Sequence, residues 1–158
     1  MSTPLSTPAE TEPAKAEPAK AEPGRDGVKG SVVTVRPDRE ILTRQGLPNF
    51  LGISGATAGS TGLCMNIVVI PPGGQAEAHY HDGYETAIFL LEGTVETLYG
   101  DGLRQSVVNT AGEFLFIPPF VPHQPRNLSA TEPARAIVAR NDPNERESVV
   151  MYDPERDA

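Results

Sequence analysis

The chain has 158 residues, a net charge of −8, one cysteine, 15 glycines and 16 prolines. The negative charge argues against a nucleic-acid backbone or an anionic membrane as partner, because both are negatively charged themselves. The single cysteine, Cys64, excludes a disulfide within the chain, and its apolar neighbours indicate a buried, unreactive thiol. The length allows one domain with a hydrophobic core.

The first 27 residues differ from the rest in composition. Residues 1–27 are rich in Pro, Ala, Glu and Lys, with prolines at positions 13, 18 and 23. A proline every five residues blocks a helix, and little here is apolar enough to bury, so a disordered tail is predicted. A single domain is then expected over residues 28–158. The first residues have no basic region followed by an apolar one, so we expect no signal peptide and a cytoplasmic protein.

After the tail, short apolar or β-branched runs alternate with turn signals, which predicts strands. A short helical turn is predicted over residues 39–45, and a hairpin around Gly100-Asp101-Gly102. The predicted strands cover residues 32–35, 50–54, 63–70, 76–81, 86–91, 94–99, 105–109, 114–117, 123–128, 135–140 and 148–152. Many short strands without a long helix indicate an all-β, closed double-sheet roll, which leaves few free strand edges.

The three histidines of the chain suggest a metal site. In a strand, residues two apart share a face, so His79 and His81 point together and Tyr80 points away. Glu85 follows within reach after Gly83, and His123 opens another strand. The same pattern also fits core histidines satisfied by hydrogen bonds, with Glu85 as an ordinary surface carboxylate.

These residues fall into two motifs that resemble those of the cupin family, G(X)5HXH(X)3-4E(X)6G and G(X)5PXG(X)2H(X)3N. The resemblance covers roughly residues 31–152 and implies a double-stranded β-helix, or jelly-roll barrel. It implies His79, His81, Glu85 and His123 as metal ligands. The matching positions of this chain are Gly73, His79, His81, Glu85 and Gly93 in the first motif, and Gly112, Pro118, His123 and Asn127 in the second.

Two positions depart from the motifs. Seven residues separate Glu85 from Gly93, where the first motif has six, which predicts a bulge or a longer turn and makes Glu85 the weakest of the ligands. Phe120 stands where the second motif has glycine. We expect that turn to use a backbone conformation open to a bulky residue.

The predicted ligands would hold one divalent transition metal ion per chain. Fe(II) is favoured here, although Mn, Ni, Zn, Co and Cu accept the same ligands. The favoured function is that of a metal-dependent enzyme, an Fe(II)-type dioxygenase acting on a small polar metabolite in a dry, apolar barrel.

Two alternatives stay open. The first is a non-oxidative isomerase or lyase acting on a sugar or hydroxy acid with the metal as Lewis acid. Tyr84 or Tyr99 would then transfer a proton, and Arg140 would hold a carboxylate or phosphate. The second is a metabolite-binding protein without turnover. The resemblance also suggests a homodimer.

Overall fold

The computed structural model describes residues 30–37, 40–144 and 149–158. The predicted tail over residues 1–27 lies outside the described residues. The chain divides into two compact units, residues 1–32 and 33–158. Of the first unit only residues 30–32 are described, and they have no regular secondary structure. The strands and the helix that the structure describes all belong to the second unit.

Short antiparallel strands make up almost all of its regular structure. A four-residue helix, α1 (Gly55–Ala58), follows the second strand, and a 3-10 turn spans Asp101–Leu103. The strands are β1 (Glu40–Leu42), β2 (Pro48–Ile53), β3 (Cys64–Ile70), β4 (His79–His81), β5 (Thr86–Glu92), β6 (Thr94–Tyr99), β7 (Gln105–Thr110), β8 (Phe114–Ile117), β9 (His123–Asn127), β10 (Ala134–Arg140) and β11 (Val149–Met151).

The strands form two antiparallel sheets. One has six strands in the order β1-β2-β3-β10-β5-β8, and the other has five in the order β11-β4-β9-β6-β7. Neighbouring strands are mostly distant in sequence, so the chain crosses repeatedly between the sheets. This confirms the predicted all-β jelly roll.

The core lies between the sheets, where the strands turn their more buried residues inward. In β3 every second residue is buried, from Cys64 to Ile70. Side chains from both sheets meet in one cluster, so the inner faces are packed against each other. The cluster comprises Leu47, Val68, Ile70, Ala76, Leu90, Val95, Ala134 and Val138.

Most predicted strands are confirmed within one or two residues, including the hairpin that joins β6 and β7. Three predictions are wrong. Residues 32–35 form no strand, and the run over 76–81 is a strand only at His79–His81. The helical turn predicted over 39–45 is replaced by β1, because Glu40–Leu42 pairs with β2 and this pairing overrides the weak local preference. Within the described residues, no helix has the length and apolar character needed to cross a membrane.

Candidate metal centre

The three histidines meet on the inner face of the five-stranded sheet. His79 and His81 lie on β4, and His123 on β9 is the direct cross-strand neighbour of His79. All three are buried, and their ring centroids lie 4.4 to 5.3 Å apart. Tyr80, between the two β4 histidines, is less buried and faces the other way. The alternation predicted from the sequence therefore brings all three imidazoles together.

Backbone carbonyls orient two of the rings. The Nδ1 atom of His79 lies 2.7 Å from the carbonyl oxygen of Glu77, and that of His123 lies 2.9 Å from the carbonyl oxygen of Val121. An imidazole that donates its Nδ1–H to a carbonyl keeps the Nε2 lone pair for a metal. The local backbone thus selects the tautomer that ligation requires.

Two of the buried histidines, His81 and His123, have lowered pKa values and are neutral at neutral pH. Burial lowers the pKa of His81 to about 2, with a further contribution from the positive charge of Arg140. Burial also lowers the pKa of His123 to about 3, although the hydrogen bond to Val121 acts in the opposite direction. A metal ion binds the neutral form of imidazole, so neither ring has to lose a proton first at neutral pH.

The donor set fits a divalent transition metal ion. Imidazole nitrogens bind Zn²⁺ at about 2.0–2.1 Å, so two nitrogens on one ion lie at most about 4.2 Å apart. The three histidines each offer a nitrogen, and these atoms lie within 4.8 Å of one another. An inward shift below about 1 Å would close the site around an ion of this size. Nitrogen donors favour the transition metals over Mg²⁺ or Ca²⁺.

The structure does not bring Glu85 to the histidines. Glu85 is exposed, and its backbone N–H donates to Oδ1 of Asn141 at 3.0 Å, outside the cluster. The next residue, Thr86, is 1% exposed and faces the cavity. The expectation that Glu85 completes the ligand set is therefore corrected, since β5 begins at Thr86 and alternation turns the two side chains to opposite faces.

The spacing of the first motif explains why Glu85 lies outside the cluster. Four residues lie between His81 and Thr86, and six lie between Thr86 and Gly93, so Thr86 satisfies both spacings of the first motif. Threonine therefore occupies the position that the motif gives to glutamate. Counting back six residues from Gly93 was the signal that sequence reasoning missed. The expected bulge after Glu85 is not needed.

The structure requires glycine at position 93, the last glycine of the first motif. Its φ is +88°, and a Cβ atom built there would lie 2.8 Å from Cβ of Ala134. Both the backbone angle and the close approach of β10 require glycine.

The three predicted catalytic residues all lie near the histidines. Arg140, at the end of β10, is buried, and its Nη2 donates to Nε2 of His81 over 3.4 Å. Tyr84 is buried with its ring centroid 5.7 Å from that of His81. Tyr99 is partly buried and is the cross-strand neighbour of His123 on β6. Their catalytic roles remain predictions.

The turn before β9 differs from expectation. Phe120 has φ +62°, so it adopts the left-handed conformation of the motif glycine although its side chain is bulky. Such a conformation costs a non-glycine residue roughly 1–2 kcal/mol. The backbone N–H of Phe120 donates to the carbonyl of His81 at 3.0 Å, which ties this turn to the ligand strand.

His79 and His123 line a cavity of about 70 Å³ between the sheets. This volume has room for several water molecules or one small metabolite. Besides the two histidines, the polar side chains at its wall are Gln45, Thr86, Thr97, Asn109, Glu113, Arg135 and Arg140. The remaining wall is mainly aliphatic and includes Val68, Ile70, Ile88, Leu90, Ile117 and Val138.

Comparison with known proteins agrees with this architecture. Residues 66–140 match the family model of the cupin domain. Similar solved structures include a formate complex of oxalate decarboxylase from Lactobacillus farciminis, with 19% identity over 72% of this chain and 33% of that chain and a TM-score of 0.61. A Bacillus subtilis oxalate decarboxylase with Mn(II) centres has 16% identity over 72% of this chain and 30% of that chain, with a TM-score of 0.62.

A further oxalate decarboxylase structure has 17% identity over 80% of this chain and 34% of that chain, with a TM-score of 0.64. The chain spans about a third of the length of these enzymes, and likeness at this level of identity shows the fold alone. No curated protein matches the sequence. The domain match over residues 66–140 and the two facing sheets together show that this part of the chain has a cupin fold.

Proposed function

We propose that the chain is a metal-dependent enzyme in which His79, His81 and His123 hold Fe(II), and that it oxidises a small polar metabolite with dioxygen. The observation that carries this proposal is the group of three buried imidazoles beside a mainly apolar cavity. Among the described residues, no carboxylate belongs to this group. Three neutral ligands do not neutralise the charge of a divalent ion, and they leave coordination positions open for other ligands. A redox-active ion in such a site supplies dioxygen chemistry.

The side chains of the chain would supply the remaining functions. Arg140 carries a positive charge beside His81 and can hold an anionic group of the substrate in place. The mainly aliphatic wall lowers the local polarity, which strengthens electrostatic interactions at the reacting groups.

Oxygen consumption tests the proposal directly. Protein reconstituted anaerobically with Fe(II) is exposed to dioxygen together with a panel of 1,2-diols, keto acids and thiols. We expect oxygen uptake that depends on both metal and substrate, and its loss in the variant His123→Ala. The proposal fails if no redox-active metal supports uptake with any member of the panel.

A non-oxidative lyase or isomerase is the second candidate. Tyr84 favours it, because a buried phenol beside a ligand histidine is placed for proton transfer. Oxalate and Mn(II) join the panel for this candidate, since the structurally similar proteins are oxalate decarboxylases and one has Mn(II) centres. Turnover under strict anoxia, lost in Tyr84→Phe, supports this candidate over the dioxygenase. A bound metabolite that stays unchanged supports the metabolite-binding alternative.

The outer face of the six-stranded sheet supports the homodimer suggested by the family resemblance. Cross-strand neighbours form one apolar row across five strands. This row comprises Phe114, Phe89, Ile137, Ile67 and Phe50. It ends at the edge strand β8, where Phe114 and Phe116 are 78% and 58% exposed. The other four residues of the row are partly buried, and Val35 and Pro37 line a pocket with three of them, so the exposed part of this face is its β8 edge. An exposed apolar edge of this kind is typical of an interaction surface, and we propose a second copy of the chain as its partner.

A further inference from the structure

Thr86 holds a buried polar group that the proposed ligand set does not use. Thr86 is 1% exposed, and its Oγ1 atom has no hydrogen-bond partner among the described residues. A buried hydroxyl left without a partner costs free energy, so such a group calls for a specific explanation, of which a bound molecule is one.

The position of Thr86 indicates where such a molecule lies. Thr86 lines the same cavity as His79 and His123, and it faces Arg140 directly across the β5–β10 pairing. It also stands where the first motif has glutamate. The hydroxyl thus lies on the side of the site from which a carboxylate would otherwise approach the metal.

A second cavity threonine makes the contrast. Thr97 on β6 is 3% exposed and lines the same cavity. Among the described residues, the Oγ1 of Thr97 is not one of the buried atoms left without a partner, whereas that of Thr86 is. Thr97 thus matches Thr86 in burial and side-chain chemistry but lies on the opposite sheet, which makes it the control position for a test of the Thr86 hydroxyl.

We propose that Thr86 is a specificity-determining residue whose hydroxyl hydrogen-bonds an oxygen of a chelating substrate, in the place that a protein carboxylate takes in the family motif. This rests on the proposed metal centre. Three protein ligands leave one more position on a divalent ion than four do, so a two-oxygen chelator and a further small ligand can bind together. The substrate class is thus a small hydroxy or oxo acid that binds the metal through two oxygens.

The test uses protein loaded with Co²⁺, whose visible spectrum reports changes in coordination. Lactate is the probe that binds the metal through two oxygens, and azide is the probe that binds it through one nitrogen. Isothermal titration calorimetry gives their affinities. Thr86→Val removes the hydroxyl with little change of volume, Thr86→Ser keeps it, and Thr97→Val is the matched control.

We expect Thr86→Val to weaken lactate binding about three- to tenfold, the usual value of one hydrogen bond, without a matching loss of azide binding. Thr86→Ser and Thr97→Val should each bind lactate with nearly the affinity of the unaltered protein. Thr86→Glu should bind Co²⁺ more tightly and lactate more weakly, while azide still binds.

Equal effects of Thr86→Val and Thr97→Val on lactate affinity would overturn the inference, and so would a loaded protein that does not bind lactate. A protein that binds Co²⁺ and lactate as expected but consumes no oxygen overturns the proposed dioxygenase and leaves the inference standing. Failure to bind any divalent ion overturns both.

Discussion

His79 and His123 lie directly opposite each other on β4 and β9, with ring centroids 4.4 Å apart. The two motifs of the sequence, separated by β6 and β7, thereby contribute to one cluster. Each ring is also oriented by a carbonyl two residues earlier in its own chain segment. This pair is the centre of the proposed metal site, whose properties can be measured.

Replacing one histidine should greatly reduce metal binding. His79→Ala or His123→Ala removes one of three donors, and we expect at least a roughly 100-fold loss of affinity for Co²⁺ or Mn²⁺, more than the usual effect of losing a supporting hydrogen bond. Metal content and calorimetric titration measure it. Tyr80→Phe, on the opposite face of the same strand, is the control and should retain the metal. Full metal content in both alanine variants would rule out this site.

Glu85, the exposed carboxylate before β5, should not be needed for metal binding. Glu85→Gln should leave the affinity for a divalent ion unchanged within about twofold, because the side chain faces solvent outside the cluster. Calorimetric titration with Co²⁺ provides the measurement. A large loss of affinity in Glu85→Gln would mean that β5 rearranges to bring this carboxylate to the ion.

The metal-free protein should lose stability in acid. The pKa values of His81 and His123 lie far below the ordinary 6.5 in the folded chain, so the unfolded chain takes up more protons as the pH falls below about 6.5. Stability is therefore fully present above that pH and declines toward pH 3. Each histidine contributes a slope of up to about 1.4 kcal/mol per pH unit.

Urea unfolding of metal-free protein between pH 7 and 4 measures this slope. His81→Leu should flatten it, because one proton-binding group is removed from the unfolded chain. Identical slopes for the two proteins would show that other groups control the acid response.

Disrupting the apolar outer face should yield monomers. Phe116→Lys places a charge on the 58% exposed position of β8, next to the apolar row of the six-stranded sheet. We expect light scattering to report a pair of chains for the unaltered protein and a single chain for the variant. Val108→Lys, at a 50% exposed position of β7 in the other sheet, is the matched control and should remain paired. A monomeric unaltered protein would exclude the dimer.

Asn127, the last residue of the second motif, should matter for stability rather than for ligand binding. Its Nδ2 donates to the carbonyls of Ile70, Pro71 and Glu132, at 3.1, 3.2 and 2.7 Å, and it is 5% exposed. Asn127→Ala should lower the free energy of unfolding by about 2–3 kcal/mol, because it leaves buried polar groups unsatisfied. Chemical denaturation measures the loss, and Asn109→Ala, which loses one long 3.4 Å hydrogen bond, should cost less than half as much. Equal losses would contradict the structural role.

Much of the fold could be predicted because its signals are local. The strands from β2 onward follow from apolar runs bounded by turn residues, and the period of two places His79 and His81 on one face without any tertiary information. Where local preference is weak, the prediction fails. Glu40–Leu42 is a strand only because β2 lies beside it.

The two motifs and the paired histidines follow from spacing along the chain, and the double-sheet architecture follows from the many short strands bounded by turn residues. The folded structure established that Thr86 rather than Glu85 faces the cavity, in agreement with the six-residue spacing before Gly93, because a shift of one residue turns a strand's side chains to the other face. It also decided that Arg140 reaches His81, a contact between strands of different sheets that no spacing could predict. The site that results is a three-histidine cluster with a threonine where the motif has its carboxylate.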